Sequence, residues 1–203
     1  VPAAKAGAAA HLGRIGPNAI TRVAEVLTLR GGPEGAHRLF KQAGLLHHLR
    51  NPPQKMVDEA DVRQLHGVLR SALGVDGAAD VARAAGERTA AYLLAHRIPK
   101  PLQAVLRHTP APLAARVLLA AITRNAWTFV GSGRFSVQIG RPCVLRITSN
   151  PLCRGLVAET PACDFYAATF QSLFVALVHP DTQVTEVACE ACGDAECRFE
   201  IAW

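Results

Sequence analysis

Six cysteines, Cys143, Cys153, Cys163, Cys189, Cys192 and Cys197, fall in the last 61 residues of a 203-residue chain. Thiols gathered this closely bind a metal, run redox chemistry or pair as disulfides. A chain of this size, half of it apolar, can bury a core without a disulfide framework. In a reducing compartment the thiols stay free, and clustering then favours metal or redox chemistry. The densest stretch, TEVACEACGDAECRF, sets Cys189 and Cys197 on either side of a tight turn at Gly193. A hairpin of this kind supplies two ligands of a zinc tetrahedron, in which each sulfur stands about 2.3 Å from the ion. By spacing alone, Cys189 and Cys192 form a knuckle with Cys197 as third ligand, and the fourth stays open.

The elements that must position these residues follow from periodicity. Residues 1–12 are Ala-rich without a polar/apolar period and read as a flexible arm, leaving 13–203 as one domain. Pro17 opens a helix carrying Ile20, Val23, Val26 and Leu27, which Gly31-Gly32 ends; a second runs from Pro33 to about Ala43. Asp58 starts a third, with Val62, Leu65, Leu69 and Leu73 on one face and Gly74 as its stop. A fourth, capped by Asp76, carries Val81, Ala85, Thr89, Tyr92 and His96 and ends before Pro99. The fifth, Pro110 to Ala126, is apolar nearly all round and is expected to be buried. Strand-like runs follow at 135–139 and 144–148, parted by Gly140-Arg141-Pro142, then a helix over 163–178 and two strands at 183–189 and 197–203. Helices first, then a small antiparallel sheet with one helix inserted, is an α+β order.

Charge is segregated as strongly as cysteine. The chain carries 22 basic and 16 acidic residues, a net +6, yet residues 159–203 hold eight acids and one base. A basic helical body therefore meets an acidic, cysteine-bearing end. Basic Ile20–Ala43 could be drawn as a helix-turn-helix, but its charges are spread singly and the second helix offers only Arg38 and Lys41 to phosphates, so no nucleic-acid partner is expected. Arg116 and Arg124 interrupt the longest apolar run, and the start, VPAAKAGAAA, lacks the apolar centre of a signal peptide. The reading is a soluble, cytoplasmic protein missing at least its initiator Met, with a basic surface that suits loose attachment to anionic lipid or to an acidic partner.

The spacing Glu186-x-x-Cys189, with Gly193 four and Cys197 eight residues on, resembles the 4-vinyl-reductase domain, which also serves as the sensory module of phenol-responsive activators. The resemblance implies a structural zinc held by Cys163, Glu186, Cys189 and Cys197 over a segment spanning 140–203, with Cys192 a rival ligand. Residues three apart on a regular strand face opposite ways, so Glu186 and Cys189 converge only through a bulge or strong twist. GRIGPNAITRVAEVL, GERTAAYLLAHRIP and RNAWTFVGSGRF extend the resemblance over Gly13–Trp203 to the bacteriochlorophyll-synthesis members of that family. It implies a fold like the small Golgi-transport (TRAPP) subunits, pairing into a homodimer, and a part in tetrapyrrole handling, with magnesium chelatase and the following methyltransferase as partners.

A vinyl reductase would need a hydride or electron source. Gly131-Ser132-Gly133 lacks the third glycine of a nucleotide loop, Ser136 standing in its place, and the Cys-x2-Cys-x2-Cys run of an iron–sulfur site is missing. The sequence therefore favours a carrier of magnesium tetrapyrrole over a 4-vinyl (8-vinyl) reductase, with a sensor of small aromatics as a third reading. Such a carrier needs an apolar slot, cations for propionates and a magnesium ligand. The candidates are Tyr92, Trp127, Phe129, Phe135, Phe170 and Phe174 as walls, His96 for the metal and Arg97 for a carboxylate; His108, Arg134 and Arg141 are alternatives.

Overall fold

The computed structural model describes residues 13–203; the arm expected over 1–12 lies outside the described residues. The chain runs β1 (Arg14–Ile15), α1 (Asn18–Gln42), α2 (Leu46–Arg50), β2 (Val57–Asp58), α3 (Glu59–His96), α4 (Lys100–His108) and α5 (Ala111–Arg124). It continues through β3 (Arg134–Gln138), β4 (Cys143–Thr148), α6 (Asp164–Leu177), β5 (Gln183–Ala188) and β6 (Cys197–Ala202). This is the α+β order expected, helices ahead of a small antiparallel sheet with α6 inserted between its strands.

The two glycine stops act as breaks within continuous helical runs. Gly32 (φ 68°, ψ 176°) and Gly74 (φ 73°, ψ 179°) leave helical geometry for one residue, and the helix resumes at once. The positive φ is open to glycine at little steric cost, so each long run is two helices meeting at one hinge. Asp58 caps α3 by accepting the Ala60 N–H at 2.8 Å. The sequence reading missed α4, a nine-residue helix that buries only Gln103 and Leu106, as well as α2 and the small β1–β2 pair.

The burial expected for the fifth helix is corrected. α5 packs through Ala114, Ala115, Leu118, Leu119 and Ile122, but Leu113 and Val117 are 50% and 47% exposed. Its apolar residues surround the axis, whereas the fold covers only one side.

The four-stranded sheet has the order β3-β4-β6-β5 with every pair antiparallel. Alternation along β6 sends Cys197, Phe199 and Ile201 into the core. β4 pairs with it in a register that sets Ile147 opposite Cys197. α6 lies on this inner face, Phe170 and Tyr166 packing edge-on against Phe199 with ring centroids 5.6 and 6.5 Å away. Its other side meets α3 at Gly86, where a Cβ would stand 2.4 Å from the Phe165 carbonyl oxygen. Only glycine lets the two backbones come this close. Thr169 seals the contact by donating to the Gly86 carbonyl at 3.2 Å.

Candidate metal centre

The end of β4, the start of α6 and the β5–β6 hairpin meet where the acidic end joins the helical body. The hairpin bends as the cysteine spacing requires. The β5–β6 register shifts between Glu186 and Ala188, a bulge that lets Glu186 and Cys189 approach one centre. Cys189 is followed by a single 3-10 turn, Glu190–Cys192, and Gly193 at φ 93° reverses the chain into β6. Asp194 holds this turn by accepting the Cys189 N–H at 2.8 Å.

Four sulfurs converge here. Cys163 Sγ lies 3.6 Å from Cys197 Sγ and 4.0 Å from Cys189 Sγ, with 3.9 Å between the last two. Cys153 Sγ is 3.4 Å from Cys197 Sγ, and all four sulfurs are buried and lie within 4.8 Å of one another. A regular tetrahedron with zinc–sulfur bonds of about 2.3 Å has edges of roughly 3.8 Å. The donor chemistry and the spacing both fit such an ion, and the four-cysteine group could hold a metal.

Three of the four residues named from the resemblance, Cys163, Cys189 and Cys197, belong to this group. Glu186 adjoins it: its Oε2 accepts the Cys163 N–H at 2.8 Å, while its buried Oε1 has no hydrogen-bond partner. Burial first, then the charge of Cys189, pushes the Glu186 carboxyl up to about 9. Cys192 is exposed and stands apart, and Cys143 is buried one strand end away, its sulfur turned to the Gly140 carbonyl. Cys153 is the member that sequence reasoning missed. It follows β4 in the turns after Asn150, and only the β4–β6 register brings that point over Cys197.

The surroundings donate to sulfur. Asn150, fully buried, gives its Nδ2–H to Cys163 Sγ at 3.2 Å, and the Glu190 N–H points to Cys197 Sγ at 3.4 Å. The Glu190 carboxylate in turn accepts the N–H groups of Ser149 and Asn150 at 2.6 and 2.7 Å. Contacts of this kind fix ligand orientation and favour thiolate. The thiols split by environment: Cys189 and Cys197 are lowered, first through Cys153 and then Cys163. Cys163 is pushed up by its thiol contacts, Cys153 foremost, while at Cys153 the lowering contact with Cys163 is outweighed by Cys189, Cys197 and burial. Four thiols this close cannot all ionise without a cation among them.

A second polar centre ties the body to the same loop. Glu59, at the head of α3, accepts from Ser132 N and Ser132 Oγ, each at 2.7 Å, and from Arg154 at 2.7 Å. Burial acts to raise its pKa, but these hydrogen bonds and the Arg154 charge outweigh it and hold the carboxyl below the ordinary range.

The candidate tetrapyrrole residues do not meet at one place. Phe129, Phe135 and Phe170 form an aromatic cluster with Tyr166, at centroid distances of 5.3 to 6.4 Å. Phe174 is buried against Trp203. Tyr92 lies at the far end of α3, its ring 4.9 Å from His96 and covered by the guanidiniums of Arg22 and Arg97. His96, Arg97 and Trp127 are exposed.

Two indentations flank the α3–α6 seam, and none of those eight residues lines either. One, of about 340 Å³, runs between Arg83 and Glu87 of α3 and Val184–Glu186 of β5. The other, of about 20 Å³, is lined by His66, Ala78, Ala82, Leu152, Leu156 and Ala162, with Arg70 and Asp164 also in its wall. His66 is wholly buried and bonds to the Ala19 backbone, while its Nε2 has no partner. Burial pulls its pKa down to about 4, so the imidazole is neutral. No sequence signal marked it, because a His on an apolar helix face reads as core.

Residues 143–202 match the family model of the vinyl-4-reductase (V-4-R) domain. Over 93% of its length the chain is 43% identical to the bacteriochlorophyll synthase 23 kDa chain of Cereibacter sphaeroides, covering 90% of that protein. It is 41% identical to the protein of the same name from Rhodobacter capsulatus, covering 86% of it. Among solved structures it is similar to an H-NOX protein from K. algicida (TM-score 0.62, 12% identity, 93% of this chain and 96% of that one). It is also similar to the phenol-responsive sensory domain of the activator PoxR (TM-score 0.51, 16% identity, 71% and 74%). At these identities the two structures speak for the fold.

Proposed function

We infer function from the premise that the chain belongs to the family of the bacteriochlorophyll synthase 23 kDa chain (the BchJ family), and read it as an accessory protein of bacteriochlorophyll synthesis. The finer reading is a carrier that binds a magnesium tetrapyrrole and hands it between pathway enzymes, with magnesium chelatase and the following methyltransferase as its partners. The single observation that carries it is the identity of 43% over 93% of the chain to a protein of that pathway. Two further solved structures similar to this fold are H-NOX proteins studied for heme and porphyrin distortion, with TM-scores of 0.58 and 0.53. An α+β body of this shape is therefore compatible with a flat macrocycle.

Within the chain, the magnesium ligand that suits this reading best is His66. A nitrogen ligand must be neutral, with its lone pair free and its ring held by the other nitrogen. His66 is uncharged, bonded to the Ala19 backbone on one side and bare at Nε2 on the other. Arg70 in the same wall offers a cation to a propionate. The indentation is far smaller than a macrocycle, so admission requires its wall of Leu152, Leu156 and Ala162 to move outward.

The metal centre has no open position in this reading. A zinc held by Cys153, Cys163, Cys189 and Cys197 is structural. It staples α6 to the hairpin, and Glu186 holds the Cys163 backbone in place as a neighbour of the ligand set. The experiment that tests the function is isolation of the tagged chain from pigment-making cells, followed by solvent extraction and mass analysis of what it carries. The reading predicts a magnesium tetrapyrrole with a pathway enzyme in the same eluate; a pigment-free eluate under conditions of active synthesis contradicts it. A nicotinamide- or ferredoxin-dependent loss of the vinyl group would favour the reductase instead.

A further inference from the structure

Between Glu87 and Glu159 the chain carries ten Arg and Lys residues and not one acid. α4 and α5 lie inside this stretch, and both turn aliphatic side chains outward. At about 100° per residue, Leu113, Val117, Ala120 and Arg124 follow one line along α5, with Arg116 beside it. That line is opposite the buried face formed by Ala114, Ala115, Leu118, Leu119 and Ile122. The outer face of a helix is ordinarily polar; this one is Leu, Val, Ala and Arg. α4 adds Leu102, 38% exposed, and Val105, 62% exposed, with Lys100 at its head. Among the described residues neither Arg116 nor Arg124 makes an ion pair.

We propose that the outer face of α5, with α4 ahead of it, docks on an anionic lipid bilayer. Leu113 and Val117 enter the boundary between headgroups and acyl chains, and Arg116 and Arg124 meet the lipid phosphates. Charge decides between this occupant and a second copy of the chain. A two-fold contact through this face would set Arg against Arg, with no carboxylate anywhere in the segment to compensate. No described helix is long and apolar enough to cross a membrane, so the contact is with the membrane surface. The proposal does not rest on tetrapyrrole binding, because the outward residues of α5 take no part in the indentation at His66.

The test is co-sedimentation of the metal-loaded full chain with vesicles of pure phosphatidylcholine and with vesicles holding roughly 30% phosphatidylglycerol. Binding to the anionic vesicles is expected to be at least about tenfold stronger and to weaken as salt rises. Arg116→Gln with Arg124→Gln, and separately Leu113→Ser with Val117→Ser, are each expected to lower it about tenfold with unchanged melting temperature. These positions are exposed, so the fold survives the substitutions. No binding to anionic vesicles at low salt, or equal binding by the parent and both variants, overturns the proposal. A solution dimer that Leu113→Ser with Val117→Ser dissolves would assign the face to a second copy, and also overturns it.

Discussion

Cys153 Sγ lies 3.4 Å from Cys197 Sγ, although the two residues are 44 apart in sequence and sit on different sides of the inserted helix. The contact closes a set of four buried thiols whose spacing matches a tetrahedral metal site. It also separates two descriptions of the ligand set that share Cys163, Cys189 and Cys197 and differ in whether Cys153 or Glu186 is the fourth.

Metal content distinguishes them. With Cys153 as ligand, Cys153→Ser is expected to purify with substoichiometric zinc, whereas Cys192→Ser keeps one zinc per chain. Glu186→Gln is expected to retain the ion but release it roughly tenfold faster to a chelator, the usual size of a loss next to the ligands. Elemental analysis and a chelator competition read both. Full zinc in Cys153→Ser, with loss in Glu186→Gln, would reverse the assignment.

Removal of the ion should loosen the hairpin. A ligand that binds only the folded state at a hundredfold its dissociation constant stabilises by about 2.7 kcal/mol. The melting temperature is therefore expected to fall on chelation, to recover with added zinc and to depend on zinc concentration. A melting temperature indifferent to chelator would mean that the four thiols hold the core without a metal.

The sequence revealed this region unevenly, for physical reasons. Gly193, the strand periods on either side of it and the need for a bulge at Glu186 are local features, and each is found where the residues set it. Cys153 is not local: its place depends on the pairing of Ile147 with Cys197, which no spacing reveals. The glycine breaks at Gly32 and Gly74 were legible, because a positive φ is written into the residue type. The exposure of Leu113 and Val117 was not, since composition cannot say which side of an all-round apolar helix the fold leaves bare. Nor could helical period tell that Tyr92 and His96 stand far from the Phe129–Phe135–Phe170 cluster.

His66 makes stability depend on pH. Its folded pKa, about 4, is depressed below the ordinary 6.5, so below about pH 6.5 the unfolded chain takes up a proton that the folded chain refuses. Its contribution is intact above pH 6.5, erodes as pH falls toward 4 and levels off below that, a loss of order 3 kcal/mol. Urea denaturation across this range should show the slope, and His66→Gln should flatten it. An equal slope in the variant would place the titration elsewhere.

Gly86 tests the packing of α3 on α6. Gly86→Ala sets a methyl 2.4 Å from the Phe165 carbonyl oxygen and 3.0 Å from the Ala168 Cβ. The helices must part, and a loss of about 1–3 kcal/mol in urea denaturation is expected. Helix propensity alone would stabilise the variant by up to about 1 kcal/mol. A gain would show that the seam is looser than the distances state.

The central claim is that this fold receives a magnesium tetrapyrrole at His66. An absorbance titration of the zinc-loaded protein with magnesium protoporphyrin tests it most directly. The account predicts a shifted Soret band that saturates at one pigment per chain, retained in His96→Gln and lost or displaced in His66→Gln. An unshifted spectrum at micromolar protein would contradict the carrier reading itself; a shift identical in His66→Gln would leave the carrier and remove His66 from its site.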